Sequence, residues 1–476
     1  SYFALLDPRP SGNSPWRRDR QRAHFAFRPL GFRRIPFSPM TPTLLPFRRP
    51  ERDDEPIVIT GLGLVTSLGR DRESSWRGIR EGRCGIDWLH GVPGLPDGTW
   101  FGAQVDLPGD SSYGELKAVR IGFRAAAEAL SDARIDWRQV DATTMGCAIA
   151  GHMGDLRGVA SLPEVDAVPR TEFSIPSDPA APAWQDRILP NTACSLIADH
   201  WGLGGPRVCH STACASGLIS LLVAVRAIRD GQCDIALAGG AEGINPLFAA
   251  GFRTMRALAE GGTPSEACLP FDVRRKGFVM GEGGAMFVVE RLSHALDRGA
   301  RIYCSIAPGV MLSEAHHLTG LDVDCDALEH LIRGTLRQAS LAPRDVAYVN
   351  AHGTGTRQND AAEIAGISRV FGSVLDSIQV SATKSQIGHL VKAAGCAELA
   401  VTILGLRDGI APPTLGLEQP EPDCRFDCVP RMASRHRYQH ALKLSLAFGG
   451  HLVGTIVSRW NDARSGFAYP ERRRAA

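Results

Sequence analysis

Three short stretches carry the residue types that do nucleophilic and proton-transfer chemistry: CHSTACASG around Cys214, VNAHGTGT around His352 and KSQIGHLVKAAG around His389. A cysteine in apolar surroundings usually packs as a small hydrophobe, so context has to distinguish Cys214 from the rest of the chain's twelve cysteines. The tiny residues around Cys214 permit a tight turn, and the apolar run LISLLVAVRAI begins just after it. That pattern predicts a helix N-terminus at Cys214, where the helix dipole and unpaired N–H groups stabilise a thiolate. Cys209 falls in the preceding extended segment and reads as core. His352 sits in a glycine-rich loop after an apolar strand, and His389 at the start of a helix of small residues. Either histidine alone would be an ordinary structural residue. Together with Cys214 they mark junctions between strands and helices or loops, where α/β proteins build their sites.

The elements that must position these groups alternate along the chain. Apolar strands such as DIALAGG, GAMFVVE and VAYVNAHG are interleaved with helical patterns, a βαβ-like rhythm that predicts α/β layers. IVITGLGLVTSLG (57–69) reads as a strand, a glycine turn and a second extended piece, followed by a helix over SSWRGIREG. Its glycines do not have the spacing of a dinucleotide fingerprint. Residues 161–186, rich in Pro, Asp, Ser and Ala, read as a long surface excursion. A faint internal echo links CHSTACASGLISLLVAVRAIRDG (209–231) with SATKSQIGHLVKAAGCAELAVTILGLRDG (381–409). Each has a Ser/Thr-rich segment, a polar turn, a helix and then Arg-Asp-Gly, as two similar halves would.

Composition narrows the function classes. At 44% apolar and 22% charged residues the chain has ordinary globular composition, and no apolar run approaches the roughly 20 residues of a membrane-spanning helix. The cysteines show no CxxC pair and no disulfide framework, which suits reduced thiols in the cytoplasm. Cys424 and Cys428 (CRFDC) come nearest to metal-ligand spacing, but no second Cys/His pair stands at a suitable distance, so no metal site is expected. The formal net charge of +2 is unevenly spread. Residues 1–50 hold ten arginines and nine prolines against Asp7 and Asp19, while the remainder is mildly acidic. Residues 1–54 are expected to be a disordered extension, and 463–476 a flexible tail. A targeting segment, a translation start upstream of Met40, or a weak nucleic-acid contact would each account for the basic stretch; the body itself is not expected to bind nucleic acid.

From about Ile57 to Trp460 the sequence resembles the condensing enzymes of the thiolase superfamily, in particular β-ketoacyl-acyl carrier protein synthases of the elongating type. TACASG, PFDVRRKGFVMGEG (270–283), NAHGTGT, KSQIGHLVKAAG and AFGGH (447–451) occur in that family's order and spacing. The resemblance implies a thiolase-like α/β fold whose two pseudo-duplicated halves, 55–300 and 301–462, form a five-layered αβαβα core. It also implies a decarboxylative Claisen condensation of an acyl thioester with malonyl-acyl carrier protein in fatty acid or polyketide elongation, while the chain's departures from the family pattern point to a specialised pathway. Cys214 would be the nucleophile, and His352, His389 and Lys384 would complete the catalytic set. The N–H groups of Cys214 and Phe448 would form the oxyanion hole, and Glu398 and Asp360 would support Lys384. Thr354 and Thr356 would hold the phosphopantetheine arm, Met153, Phe252 and Phe448 would line the acyl pocket, and Arg256 would help dock an acidic carrier protein. The enzyme would bind no cofactor of its own, its substrates riding on the carrier's phosphopantetheine, and would form a homodimer or pair with a ketosynthase-like subunit.

The match has departures. LSLAFGGHL (444–452) stands where the family usually has NSFGFGGTN, so Leu444, Leu446, Ala447, His451 and Leu452 alter the loop that gates the acyl pocket. Lys392 replaces a residue that is usually small and uncharged. Two other readings fit the fold: a non-catalytic partner subunit of a ketosynthase heterodimer, and a degradative thiolase. The presence of Cys214 and both histidines speaks against the first. The thiolase branch generally has a second cysteine in place of one histidine.

Overall fold

The computed structural model describes residues 55–92, 94–107, 116–152, 189–322 and 324–460. The expected N-terminal extension and C-terminal tail, the excursion over 161–186 and Met153 lie outside the described residues.

One mixed sheet runs through the chain. Its strands are β1 (Ile57–Thr66), β2 (Gly146–Ile149), β3 (Arg207–Val208), β4 (Ile235–Glu242), β5 (Gly283–Arg291), β6 (Cys304–Ile306), β7 (Val310–Ser313), β8 (Tyr348–Asn350), β9 (Gln379–Ser381), β10 (His440–Ala447) and β11 (His451–Arg459). Side by side they run β9-β8-β10-β11-β6-β1-β5-β4-β2-β3, with β7 added on β11. Strands before residue 300 fill one end of the sheet and later strands the other. The two ends join where β6 pairs with both β1 and β11. Six helices matter for the site: α1 (Lys117–Asp132), α2 (Thr192–Trp201), α3 (Ser216–Arg229), α4 (Asp326–Gln338), α5 (Arg357–Phe371) and α6 (Ala394–Asp408).

Strand side chains alternate between faces, and this alternation shows how the layers stack. In β5, Ala285, Phe287 and Val289 join a core shared with α3 and α6, whereas Met286 and Val288 join a second core with α1 and α2. In β10 and β11, Ala441, Ala447, Val453 and Val457 belong to the first core. Leu442, Leu444, Leu446, Leu452 and Ile456 pack instead with α4 and α5. Both ends of the sheet therefore enclose the α3/α6 pair, and the outer helices complete five layers, αβαβα, in a thiolase-like arrangement. Every residue of α6 from Ala394 to Leu406 is buried, as a helix covered on all sides must be.

The internal echo is structural. Before α3 the chain passes through Ala213 at φ 47°, Cys214 and Ala215; before α6 it passes through Val391 at φ 42°, Lys392 and Ala393. Gly231 and Gly409, both at positive φ, follow the two helices at matching places. Lys392 thus occupies in the second half the position that Cys214 holds in the first.

The predicted turn within residues 57–69 is replaced by one unbroken strand, β1, with a register irregularity between Ile59 and Gly61. The glycines there serve close packing. A Cβ on Gly61 would lie 2.2 Å from the Ala129 carbonyl oxygen, and one on Gly63 2.0 Å from that of Ala125, so α1 can press onto β1 only where side chains are missing. The helix expected next forms at Arg72–Arg80, capped by Asp71.

Candidate active site

Cys214 stands on a short turn that feeds α3. Ala213 holds a left-handed conformation, which costs a non-glycine residue about 1–3 kcal/mol and persists only where surroundings impose it. Ser216 supplies part of that constraint: its Oγ accepts from the Thr212 N–H at 2.8 Å and donates to the Ala213 carbonyl at 2.7 Å. The turn sets Cys214 in the wall of a cavity of about 1050 Å³, which His352 and His389 also line.

The two histidines arrive from the other half of the chain. His352 follows β8 in its glycine loop, as predicted. His389 lies not on a helix but between the short helix Lys384–Ile387 and the turn before α6, just after Gly388 at φ 69°. His389 Nε2 is 3.0 Å from Cys214 Sγ, and the two imidazole centroids are 5.4 Å apart at 84°. Their outer nitrogens meet donors. The Val391 N–H donates to His389 Nδ1 at 3.1 Å, and the Lys384 ammonium stands 3.2 Å from His352 Nδ1. Each ring therefore carries its proton on Nε2, so both present an N–H toward the cavity. Burial holds both imidazoles well below their ordinary pKa, and the positive charges of Lys384 and Lys443 add to the effect. They are neutral donors.

The expected thiolate is a different matter. Burial pushes the Cys214 thiol up to about 12, with the positive charge of Lys384 acting in the opposite direction. A helix N-terminus is worth about 2 kcal/mol at most, roughly 1.5 pKa units, which is too little to bring such a thiol below neutrality. Cys214 rests as a thiol. Sequence could place the helix start but not the exclusion of water around it.

Cys214 Sγ and one nitrogen of each histidine lie within 4.8 Å of one another, a spacing that could enclose a metal ion. The surrounding chemistry opposes this. A metal-bound imidazole donates its other N–H to an acceptor, whereas here both outer nitrogens face donors.

Behind the cavity lies a buried ionic cluster. Lys384 does not reach the cavity wall; it bonds the His352 carbonyl and pairs with Glu398 Oε1 at 2.5 Å, which makes it a positioning residue for His352. Glu398 Oε2 pairs at 2.5 Å with Lys443, a second fully buried lysine that sequence reading missed although it adjoins the altered loop. Burial lowers Lys443 to about 8. Asp360 was expected beside this pair but makes no contact with it. It accepts instead from the N–H groups of Phe271 at 2.9 Å, Thr354 at 3.1 Å and Gly355 at 3.2 Å, fixing the glycine loop beyond His352. Its position three residues past Arg357, in the first turn of α5, aims it at backbone donors and away from Glu398. Glu363, also missed, accepts from the His352 and Gly353 N–H groups, each at 2.6 Å, and from Asn359 at 2.9 Å. Burial raises it to about 7. The one available signal was its spacing from Asp360 on the same helix.

The remaining predicted residues fall along the cavity. Thr354 and Thr356 face it with their hydroxyls 2.8 Å apart. Phe448, Phe252 and Phe278 form an aromatic series ending on His389, with successive centroids at 6.3, 5.1 and 5.1 Å. Ala447 ends β10 in extended backbone, so the alanine meets no conformational conflict there. Arg256 lies on the rim with Lys276 and Arg357, all exposed, and no carboxylate is among the described residues of the wall.

Comparison with known proteins points to one family. Residues 117–295 match the family profile described as beta-ketoacyl synthase, N-terminal domain, and residues 303–418 the corresponding C-terminal domain. A 3-oxoacyl-[acyl-carrier-protein] synthase 2 from Synechocystis sp. is 33% identical over 417 residues, covering 85% of this chain and 98% of its own. The tetracenomycin polyketide synthase ketoacyl synthase alpha subunit of Streptomyces glaucescens is 32% identical over 419 residues, covering 86% and 98%. Among solved structures, a type II polyketide ketosynthase in complex with its acyl carrier protein and bound to a hexaketide superposes with a TM-score of 0.75 at 28% identity, over 86% of this chain and 100% of that one. The ishigamide ketosynthase/chain length factor gives 0.73 at 26%, with the same coverage. The family profiles cover more than half of the chain and the relatives align with most of it, so the chain belongs to the β-ketoacyl synthase family.

Proposed function

We propose that this chain is a 3-oxoacyl-acyl carrier protein synthase that extends an acyl thioester by decarboxylative condensation with malonyl-acyl carrier protein, and that Cys214, His352 and His389 perform the chemistry. The observation that carries the reading is the convergence of one thiol and two inward-facing Nε2–H groups on the wall of one large cavity.

In the first half-reaction Cys214 Sγ attacks the carbonyl of a carrier-bound acyl thioester. The new C–S bond forms as the old one breaks, and the thiol proton passes to the departing pantetheine sulfur. The Cys214 and Phe448 N–H groups stabilise the oxyanion. In the second, malonyl-carrier loses CO2, and the N–H groups of His352 and His389 donate to the thioester oxygen on which the enolate charge develops. Neutral imidazoles suit this role, since they can donate without being acidified. The enolate carbon attacks the Cys214 thioester, the 3-oxoacyl product leaves on its carrier, and Cys214 regains a proton. No cofactor of the enzyme's own enters these steps. Thr354 and Thr356 hold the pantetheine arm, and Phe252 and Phe448 bound the acyl chain.

The basic rim of Arg256, Lys276 and Arg357 suits an acidic acyl carrier protein. The structural relatives include a ketosynthase with its carrier protein and a ketosynthase/chain length factor, so we assign this chain a carrier partner and a dimer, with itself or with a ketosynthase-like subunit. No helix among the described residues is long and apolar enough to cross a membrane, and twelve cysteines suit the reducing cytoplasm. Leu446, Ala447 and Phe448 all line the cavity, so the departures in the gating loop touch the acyl path itself and favour a specialised pathway. Cys214→Ala should abolish the acyl adduct seen by mass spectrometry after incubation with acyl-carrier. Unchanged product formation by that variant would overturn the assignment and support a non-catalytic subunit.

A further inference from the structure

Outside the active site one pair of side chains is placed for chemistry that the condensation does not use. Cys424 and Cys428 lie on the segment leading to β10, with their sulfurs 3.1 Å apart. A disulfide requires about 2.05 Å, so closure needs roughly 1 Å of movement within one five-residue loop. A turn closed by the Cys424 N–H donating to the Glu421 carbonyl at 2.9 Å leads directly into this loop. The two thiols differ in access: Cys424 is half-buried and Cys428 buried. The other close pair among the described residues, Cys147 and Cys194, is 3.9 Å apart with both members buried, out of reach of an oxidant.

We propose that Cys424 and Cys428 are a redox-active dithiol that a small disulfide such as glutathione disulfide converts to an intramolecular disulfide. The Cys424 sulfur attacks one sulfur of glutathione disulfide and expels a glutathione thiolate, leaving a mixed disulfide on Cys424. Cys428 then loses its proton to solvent, attacks the Cys424 sulfur and expels the second glutathione. Two protein thiols are oxidised, one glutathione disulfide is reduced to two glutathione thiols, and no other reactant is needed. The Cys428 thiol is raised chiefly by its hydrogen bond with Cys424 and then by burial, and the first of these causes disappears once Cys424 is capped.

The pair connects to the elements behind the active site through its neighbours. Asp427 accepts from the Val380 N–H at 2.8 Å through its carbonyl, and from Gln379 at 2.7 Å through its carboxylate, both on β9, the strand that leads to Lys384. Phe426 packs edge-on against Phe271, whose N–H is held by Asp360.

The test treats the full-length protein with glutathione disulfide, quenches in acid, alkylates with N-ethylmaleimide in denaturant and maps the peptides by mass. The expected result is a peptide spanning 424–428 that carries no alkyl group, is two hydrogens lighter, and gains two alkyl groups after dithiothreitol. Cys424→Ser should leave Cys428 alkylated, and Cys428→Ala should accumulate a glutathione adduct on Cys424. Two alkylated cysteines in the treated wild-type protein, or a glutathione adduct on Cys424 that Cys428 fails to displace, would overturn the proposal.

Discussion

Glu398→Gln tests whether the buried cluster behind His352 is an ionic device or ordinary packing. The glutamate is buried and takes Lys384 on one oxygen and Lys443 on the other, with both lysines wholly out of solvent. Glutamine keeps the shape but removes the charge, and its amide nitrogen must replace one oxygen, so at least one ammonium faces a donor. Removing one partner from a buried ion pair costs about 3–5 kcal/mol. One relief is available. Burial already brings Lys443 down to about 8, so at pH 7 its charged form is only weakly favoured, and without Glu398 it gives up its proton. The loss should therefore sit near the lower end, about 3 kcal/mol at pH 7. Above pH 8 wild-type Lys443 is neutral too, so the gap between the two proteins should narrow, by about 1 kcal/mol by pH 9. The sign follows from linkage: a lysine whose folded pKa lies below its unfolded value makes the fold more stable as pH rises between the two. Lys443→Met is the companion, because it leaves a neutral Lys384–Glu398 pair and one bare oxygen, at about 1–3 kcal/mol. Urea unfolding followed by circular dichroism at pH 7 and pH 9 measures all three proteins. The reasoning fails if Glu398→Gln is within about 0.5 kcal/mol of wild type at pH 7, or is less destabilised than Lys443→Met.

Other consequences are equally open to measurement. Because His352 and His389 are held well below their ordinary pKa, the condensation rate should stay flat through pH 6–7, and a fall with a midpoint near 6.5 in the pH–rate profile would contradict their neutrality. The same shift makes the unfolded chain bind more protons below about pH 6.5, so stability should drop on acidification by up to about 1.4 kcal/mol per pH unit for each histidine. Gly353→Ala should unfold the glycine loop or abolish turnover: the residue sits at φ 43°, and its Cβ would meet that of Ala382 at 2.3 Å, which thermal denaturation and single-turnover assays would register. Arg256→Glu, on the exposed rim, should raise KM for acyl-carrier substrates with kcat nearly unchanged, an effect that shrinks with added salt; an equal loss at all salt concentrations would point away from docking.

The sequence by itself determined the parts of this protein that depend on local pattern. Apolar runs placed β4, β5 and β8, the small-residue turn before an apolar run placed Cys214 at the head of α3, and the repeat ending in Arg-Asp-Gly foretold that α3 and α6 are equivalent. The glycines of β1 misled because a turn and a helix pressed against a strand ask for the same residue, and only α1 distinguishes the two cases. Tertiary structure alone decided the charge states. Cys214 rests as a thiol, the imidazoles are neutral, and Lys443 joins Glu398 because chain segments far apart in sequence exclude water from one another, and that exclusion outweighs the helix dipole. It also decided which way Asp360 points and brought the sulfurs of Cys424 and Cys428 within reach, since the direction of a side chain is set by what its neighbours leave open.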